Sequence, residues 1–276
     1  MRHFGLHARR SLGQHFLIDE EVLKRIISAA ELTPNGTVIE VGPGLGVLTC
    51  ELAKWAGRVI AIEVDAKLAS ALAQVTADFP RVSVINADVL QVDPAKLLAE
   101  DGVVPASHCY KLVANLPYYI TSPTLRHFLE ASLKPQRMVV MVQKEVGETI
   151  AAQPGELSLL SIGVQFYGKP TIIDYVPARS FYPPPKVDSV ILCIDLYQQP
   201  AVEVTDTIGF FNMVRAGFAA PRKQLRNTLA QGLGIPSKDV EALLEKAEIN
   251  SHRRAETLSL QEWARLYAIF ADHGYN

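Results

Sequence analysis

The segment Thr37-Val38-Ile39-Glu40-Val41-Gly42-Pro43-Gly44-Leu45-Gly46 constrains this chain more than any other, because a short apolar strand runs straight into three alternating glycines. Glycine lets a backbone turn through left-handed conformations and lets a ligand come close to the main chain. An amphipathic helix marked by Leu48, Leu52 and Ala53 follows at once. Strand, glycine turn and helix in that order open a parallel α/β sheet, whose ligands bind along the carboxyl ends of the strands.

The glycine spacing narrows the ligand. A dinucleotide fold uses GxGxxG and rests a pyrophosphate on the helix amino terminus. Here the pattern is GxGxG preceded by an acid, which is that of S-adenosylmethionine enzymes. Glu40 then stands where it can meet a cationic ligand or hold the loop. A nicotinamide oxidoreductase is disfavoured by the spacing and by the lack of an evident proton donor for a carbonyl.

The next strands carry polar groups to the same edge. Val59-Ile60-Ala61-Ile62 ends at Glu63, twenty-one residues beyond Gly42, and an acid about 20 residues on is where a ribose diol is held. Glu63 could instead be a solvated acid beside Asp65, which is placed to cap a helix; coupled to the glycine loop, ribose binding is the favoured role. Val82-Ser83-Val84-Ile85 leads to Asp88, which can accept from an adenine amine or serve as a turn acid. A fourth strand over 109–114 delivers Asn115-Leu116-Pro117-Tyr118. Pro117 fixes its own φ, has no N–H, and biases Leu116 toward extended backbone. The Asn115 side-chain oxygen and the Leu116 carbonyl are therefore candidate acceptors for an aryl amine, with Tyr118 as a stacking face. The same four residues, met alone, would read equally well as a turn.

Further along, 138–142 is an all-apolar strand covered on both faces. Residues 143–152 and 157–166 have helical pattern, and 170–176 and 190–196 are strands. Between the last two, Phe181 is followed by Pro183-Pro184-Pro185, a stiff loop that fixes the direction of a ring able to close the other side of a base stacked on Tyr118; met alone, the loop would read as a linker with an incidental aromatic. Gln198-Gln199-Pro200 marks a boundary, giving a catalytic domain over 1–198 and a small helical domain over 199–276. In the latter, 208–218, 222–233, 238–247 and 259–270 have helical periodicity, and Ser259 with Glu262 forms a capping box.

Charge enters at this point. The chain is nearly balanced, with net charge −2, so any nucleic-acid surface must be local. From Thr207 to Ser237 there are bases and no acid. Within a helix, Arg222 and Arg226 would lie one turn apart with Lys223 beside them, a phosphate-contacting ridge for RNA. Arg2, Arg9 and Arg10 make the amino terminus basic without forming a secretory leader. Cys50, Cys109 and Cys193 are widely spaced in apolar surroundings, with no zinc spacing. A cytoplasmic protein with no membrane span and no metal is expected.

Taken together, Gln14-His15-Phe16-Leu17, the Glu40-to-Gly46 loop, Asn115-Leu116-Pro117-Tyr118, Phe181 with Pro183-Pro184-Pro185-Lys186-Val187-Asp188-Ser189, Arg222-Lys223-Gln224-Leu225-Arg226-Asn227 and Arg254-Ala255-Glu256-Thr257-Leu258-Ser259 resemble the KsgA/RsmA family, small-subunit rRNA adenine dimethyltransferases, nearly end to end. The resemblance implies a seven-stranded, Rossmann-like S-adenosylmethionine-dependent methyltransferase sheet with a small all-α carboxyl-terminal domain. It also implies dimethylation of two adjacent adenosines in a 3′-terminal hairpin loop of small-subunit rRNA during ribosome assembly, and a monomer is expected. By the same resemblance His15, Leu17, Gly42, Glu63, Asp88 and Asn115 line the cofactor site, and Asn115, Leu116, Tyr118 and Phe181 hold the target base. Two positions depart from the family pattern: His15 stands where Asn is usual, and Pro221 where Arg is usual, which removes one phosphate contact and points to a helix start there. Enzymes of the same chemistry on large-subunit rRNA lack the triple proline and carry Asn at the position of Asp188. Mitochondrial transcription factors derived from the family have the fold without the reaction; the intact glycines and Asn115 loop disfavour that alternative.

Overall fold

The computed structural model describes residues 15–103 and 110–274. The basic amino terminus and Cys109 lie outside them. Two compact units emerge: residues up to Gly147 with Lys169–Gln198, and Glu148–Gly168 with the chain from Gln199 onward. Residues 148–168, expected in the catalytic domain, thus join the helical one. Their pattern shows that they are amphipathic but not which core they enter.

The first unit opens with β1 (Phe16–Leu17), α1 (Glu20–Ala30), β2 (Thr37–Val41), α2 (Val47–Trp55), β3 (Arg58–Glu63), α3 (Ala66–Val75) and β4 (Val82–Asn86). It continues with α4 (Pro94–Glu100), β5 (Tyr110–Asn115), α5 (Thr121–Glu130), β6 (Arg137–Gln143) and α6 (Lys144–Ile150), which runs across the boundary. Asp19, Asp65 and Asp93 cap α1, α3 and α4, each carboxylate accepting two N–H groups that the helix itself cannot satisfy. After α7 (Leu159–Tyr167), which belongs to the second unit, come β7 (Gly168–Val176), β8 (Phe181–Tyr182) and β9 (Ser189–Leu196).

Seven strands form one sheet in the order β4-β3-β2-β5-β6-β9-β7. The first five are parallel, with Glu40 between Ala61 and Val113, and Asn115 opposite Met141. β9 runs antiparallel to β6. The central strands are apolar on both faces, as a sheet covered by helices requires, and Ile39, Ile60, Leu112, Val140 and Leu192 are fully buried. Strand order reverses between β2 and β5, and that switch point opens the crevice where α/β sheets bind ligands.

Local pattern does not reveal a second, two-stranded ribbon, in which β1 pairs antiparallel with β8: Phe16 lies opposite Tyr182 and Leu17 opposite Phe181. The Ile18 N–H donates to the Ser180 carbonyl at 2.9 Å, and the Ser180 hydroxyl to Asp19 at 2.7 Å.

The second unit packs α7 with α8 (Thr207–Phe218), α9 (Leu225–Leu233), α10 (Ser237–Lys246) and α11 (Leu260–Asp272) around Phe166, Phe210, Met213, Leu243, Trp263, Tyr267 and Phe270. The capping box at α11 is present, Ser259 and Glu262 each holding the other's backbone N–H. The expected helix over 222–233 begins only at Leu225, so Pro221 does not start it, and Arg222 and Lys223 lie in the preceding turn. Helical spacing therefore does not align Arg222 with Arg226, and Arg226 pairs with Glu241 at 3.1 Å. Arg222 and Lys223 are exposed.

Candidate active site

A cavity of about 240 Å3 lies at the carboxyl ends of β2, β3, β4 and β5. His15, Leu17, Gly42, Glu63, Asp88, Asn115, Leu116, Tyr118 and Phe181 all line it, so one hollow collects every residue expected at the cofactor and the base.

The glycine turn shapes one wall. Gly42, Gly44 and Gly46 have φ of +67°, +58° and +84°, which L side chains rarely adopt. A Cβ at Gly42 would meet nothing closer than 3.7 Å, so the missing side chain leaves room there. At Gly46 the constraint is packing, since a Cβ would come within 2.6 Å of Leu72 Cδ1.

Two carboxyls face this hollow in different environments. Glu63 is buried, and its oxygens accept the Gly44 N–H at 3.2 Å and the Asp65 N–H at 3.0 Å. Burial pushes its carboxyl up, and these amides act against that rise. Glu40 is 1% exposed, and its Oε2 has no hydrogen-bond partner. Burial, with the neighbouring Glu63 adding to it and Thr49 opposing, pushes the Glu40 carboxyl up to about 8. That environment was missed in the sequence, although the position of Glu40 one residue inside the strand end was its signal. Asp88 is exposed and caps a short 3-10 turn, taking the Leu90 N–H on Oδ1 at 3.0 Å.

The Asn115 amide is set by its surroundings. Its Nδ2 donates to the His15 carbonyl at 3.1 Å. A carbonyl can only accept, so the amide nitrogen must face His15 and Oδ1 must face the other way. The Leu116 N–H goes to the Met141 carbonyl at 3.2 Å, while the Leu116 carbonyl accepts from no described residue. Two acceptor oxygens therefore stand at adjacent positions of the β5 end.

Around them, the Tyr118 hydroxyl lies 3.0 Å from Ser189 Oγ, and burial pushes its phenol up. The ring stacked on Tyr118 is that of His15, at 5.9 Å between centroids and 29° between planes. His15 Nδ1 lies 2.7 Å from the Pro183 carbonyl, so a neutral His15 ring donates from Nδ1. Phe181 is 3% exposed and packs with Leu17 in the core of the first unit. Its pairing in the β1–β8 ribbon holds it there, and it also lines the cavity with Tyr118. Tyr119, which the sequence did not single out, lines the cavity and is 59% exposed.

The residues present fit S-adenosylmethionine: a bare glycine wall, a carboxylate fixed at the second strand end, an acid after the third, and a cavity-lining Glu40 carboxyl whose buried Oε2 has no partner. Sheet, glycine turn and acids define an S-adenosylmethionine-dependent methyltransferase. Residues 5–272 match the family described as ribosomal RNA adenine dimethylase. A ribosomal RNA small subunit methyltransferase A of Dehalococcoides mccartyi is 50% identical over 99% of this chain and 92% of its own length. One from Pelotomaculum thermopropionicum is 45% identical over 99% and 95%. Among solved structures, a dimethyladenosine transferase from Plasmodium falciparum aligns with a TM-score of 0.80 at 26% identity, covering 95% of this chain and 99% of that one. The 23S rRNA methyltransferase ErmE aligns with a TM-score of 0.72 at 29% identity, covering 93% and 99%. The chain belongs to the ribosomal RNA adenine dimethylase family, and its reaction is the methylation of adenine in ribosomal RNA. No helix among the described residues is long and apolar enough to cross a membrane.

Proposed function

We propose that the substrate is small-subunit rRNA, free or in an assembling particle, and that two adjacent adenosines of its 3′-terminal hairpin loop are dimethylated at the exocyclic nitrogen. The names of the two bacterial relatives favour the small subunit. The orientation of the Asn115 amide carries the chemistry.

S-adenosylmethionine supplies a methyl group on positively charged sulfur. Glu63 would hold its ribose and Asp88 its adenine amine, while Gly42 leaves room beside the main chain. An aryl amine is a poor nucleophile because its lone pair is delocalised into the ring. Asn115 Oδ1 and the Leu116 carbonyl, accepting both N–H bonds, draw the amine nitrogen toward tetrahedral geometry and return the lone pair to it. They also stabilise the positive charge that develops there in the transition state. Tyr118 holds the unstacked base in place, which converts the encounter into a positioned reaction. The methylated nitrogen is strongly acidic, so its proton leaves to water without a dedicated base. In the helical unit, Arg222 and Lys223 would contact phosphates, with Arg226 contributing while paired to Glu241.

Incubating the protein and labelled cofactor with unmodified small subunits, and mapping the labelled nucleotides, tests this function. Label on two neighbouring adenosines near the 3′ end is expected. Label confined to large subunits offered in parallel would refute it.

A further inference from the structure

Two carboxyls line one small cavity, but only Glu63 is supplied with backbone donors. Glu63 accepts two backbone N–H groups, which is what an ionised carboxylate needs inside a protein. Glu40 lies deeper, and its Oε2 has none. Its neighbours add no positive charge. On the flanking strands it lies between Ala61 and Val113. Across the cavity the charged neighbour is Glu63, of the same sign, and from α2 come Thr49 and the Cys50 thiol, which the charge of Glu40 would itself push up. A buried carboxyl with one oxygen unpartnered and no backbone donor, beside a second acid, holds its proton until positive charge arrives.

We infer that Glu40 occupies the cofactor-free site as the neutral acid and gives up its proton when the cationic cofactor enters, so that cofactor binding and proton release are one linked event. This rests on the methyltransferase reading of the site and extends it: Glu40 is a positioning residue whose charge is created by the ligand. The proton passes from the carboxyl to buffer, and the carboxylate left behind is neutralised by the ammonium and sulfonium charges of the bound molecule. The direction of the Glu40 shift, upward through burial, agrees with this geometry. Linkage then requires cofactor affinity to rise with pH while the free site still holds the proton, and to level off once it does not. A neutral nucleoside in the same cavity should show neither effect.

The test is titration calorimetry of the intact protein near pH 7 in two buffers of different ionisation enthalpy, with S-adenosylmethionine and with adenosine. Close to one proton released with S-adenosylmethionine and none with adenosine is expected, together with a roughly tenfold gain in cofactor affinity per pH unit from 6.5 toward 8. Glu40→Gln should abolish the release. Should that variant fold poorly, the infrared difference spectrum of the wild type decides: cofactor binding should remove a protonated-carboxyl band, and adenosine should leave it. Cofactor binding without proton release, or with equal release in Glu40→Gln, overturns the inference while leaving the methyltransferase assignment intact. If S-adenosylmethionine does not bind at all, the assignment and the inference fall together.

Discussion

Asn115 shows how one hydrogen bond decides a chemical role. An amide presents oxygen on one side and nitrogen on the other, and the His15 carbonyl, 3.1 Å from Nδ2, settles which side turns away. Asn115→Ala removes an acceptor that matters most in the transition state, so kcat should fall by about 10²-fold or more, while RNA affinity in a filter-binding assay changes little. Equal losses in both would contradict the assigned role. Glu40 makes the matching point for charge. Folded, it keeps its proton up to about pH 8; unfolded, it loses it in the ordinary carboxylate range. Below that range both forms are protonated and the group is neutral toward stability. As pH rises, the unfolded chain alone ionises, so the cofactor-free protein loses stability until the folded carboxyl itself titrates near 8, by at most about 5 kcal/mol. Thermal midpoints of wild type and Glu40→Gln, measured from pH 5 to 8, should therefore diverge in favour of the variant as pH increases. The positions of Asn115, Leu116, Glu63 and Asp88 at the cavity were legible in the sequence because each lies at or just past the end of a strand of the same parallel set. Their hydrogen bonds were not, since the partner of Asn115 lies a hundred residues away in the chain.

Elements were easiest to read where their signals are local. The cap Asp65, the glycine turn after β2 and the apolar runs of β3, β5 and β6 all depend on neighbours within a few residues, and the folded chain forms them where the pattern places them. The β1–β8 ribbon has no local signature: two dipeptides meet across a sequence separation of 164 between Leu17 and Phe181. Its consequence is large, because it seats Phe181 in the core at the wall of the cavity. Pro221 misled for a related reason. Proline is welcome in the first turn of a helix, yet here it lies in the turn before α9, and the basic residues beside it follow that turn. The glycine turn offers the sharpest test at this scale. Gly46→Ala must accommodate φ of +84° and a methyl 2.6 Å from Leu72 Cδ1. Strain of about 1–2 kcal/mol from the backbone alone, plus the shift forced on the Leu72 side chain, should lower the thermal midpoint. Cofactor affinity should weaken at the same time, as read by calorimetry. Unchanged values of both would show that the turn is freer than its packing indicates.

For the whole molecule, the instructive feature is that the units are not continuous in sequence. Gln198-Gln199-Pro200 is a visible boundary, but the earlier exchange at 148–168 is not, because an amphipathic helix advertises its apolar face without naming the core it will fill. Phe166 shows which core that is: it is fully buried and stacks with Phe210 at 5.3 Å and edge-on with Phe211 at 5.2 Å, both in the helical unit. The two tryptophans allow the partition to be measured, since Trp263 is buried in the helical core and Trp55 is 56% exposed on α2 of the first unit. In a Trp55→Phe background, Phe166→Ala should destabilise the unit reported by Trp263 fluorescence by about 3–5 kcal/mol, the range for deleting a buried aromatic. Cofactor affinity should stay within about twofold, because the cavity at the end of β2 and β5 draws no residue from 148–168 and separated sites act nearly independently. If the substitution left the Trp263 transition in place and weakened cofactor binding instead, residues 148–168 would belong with the sheet.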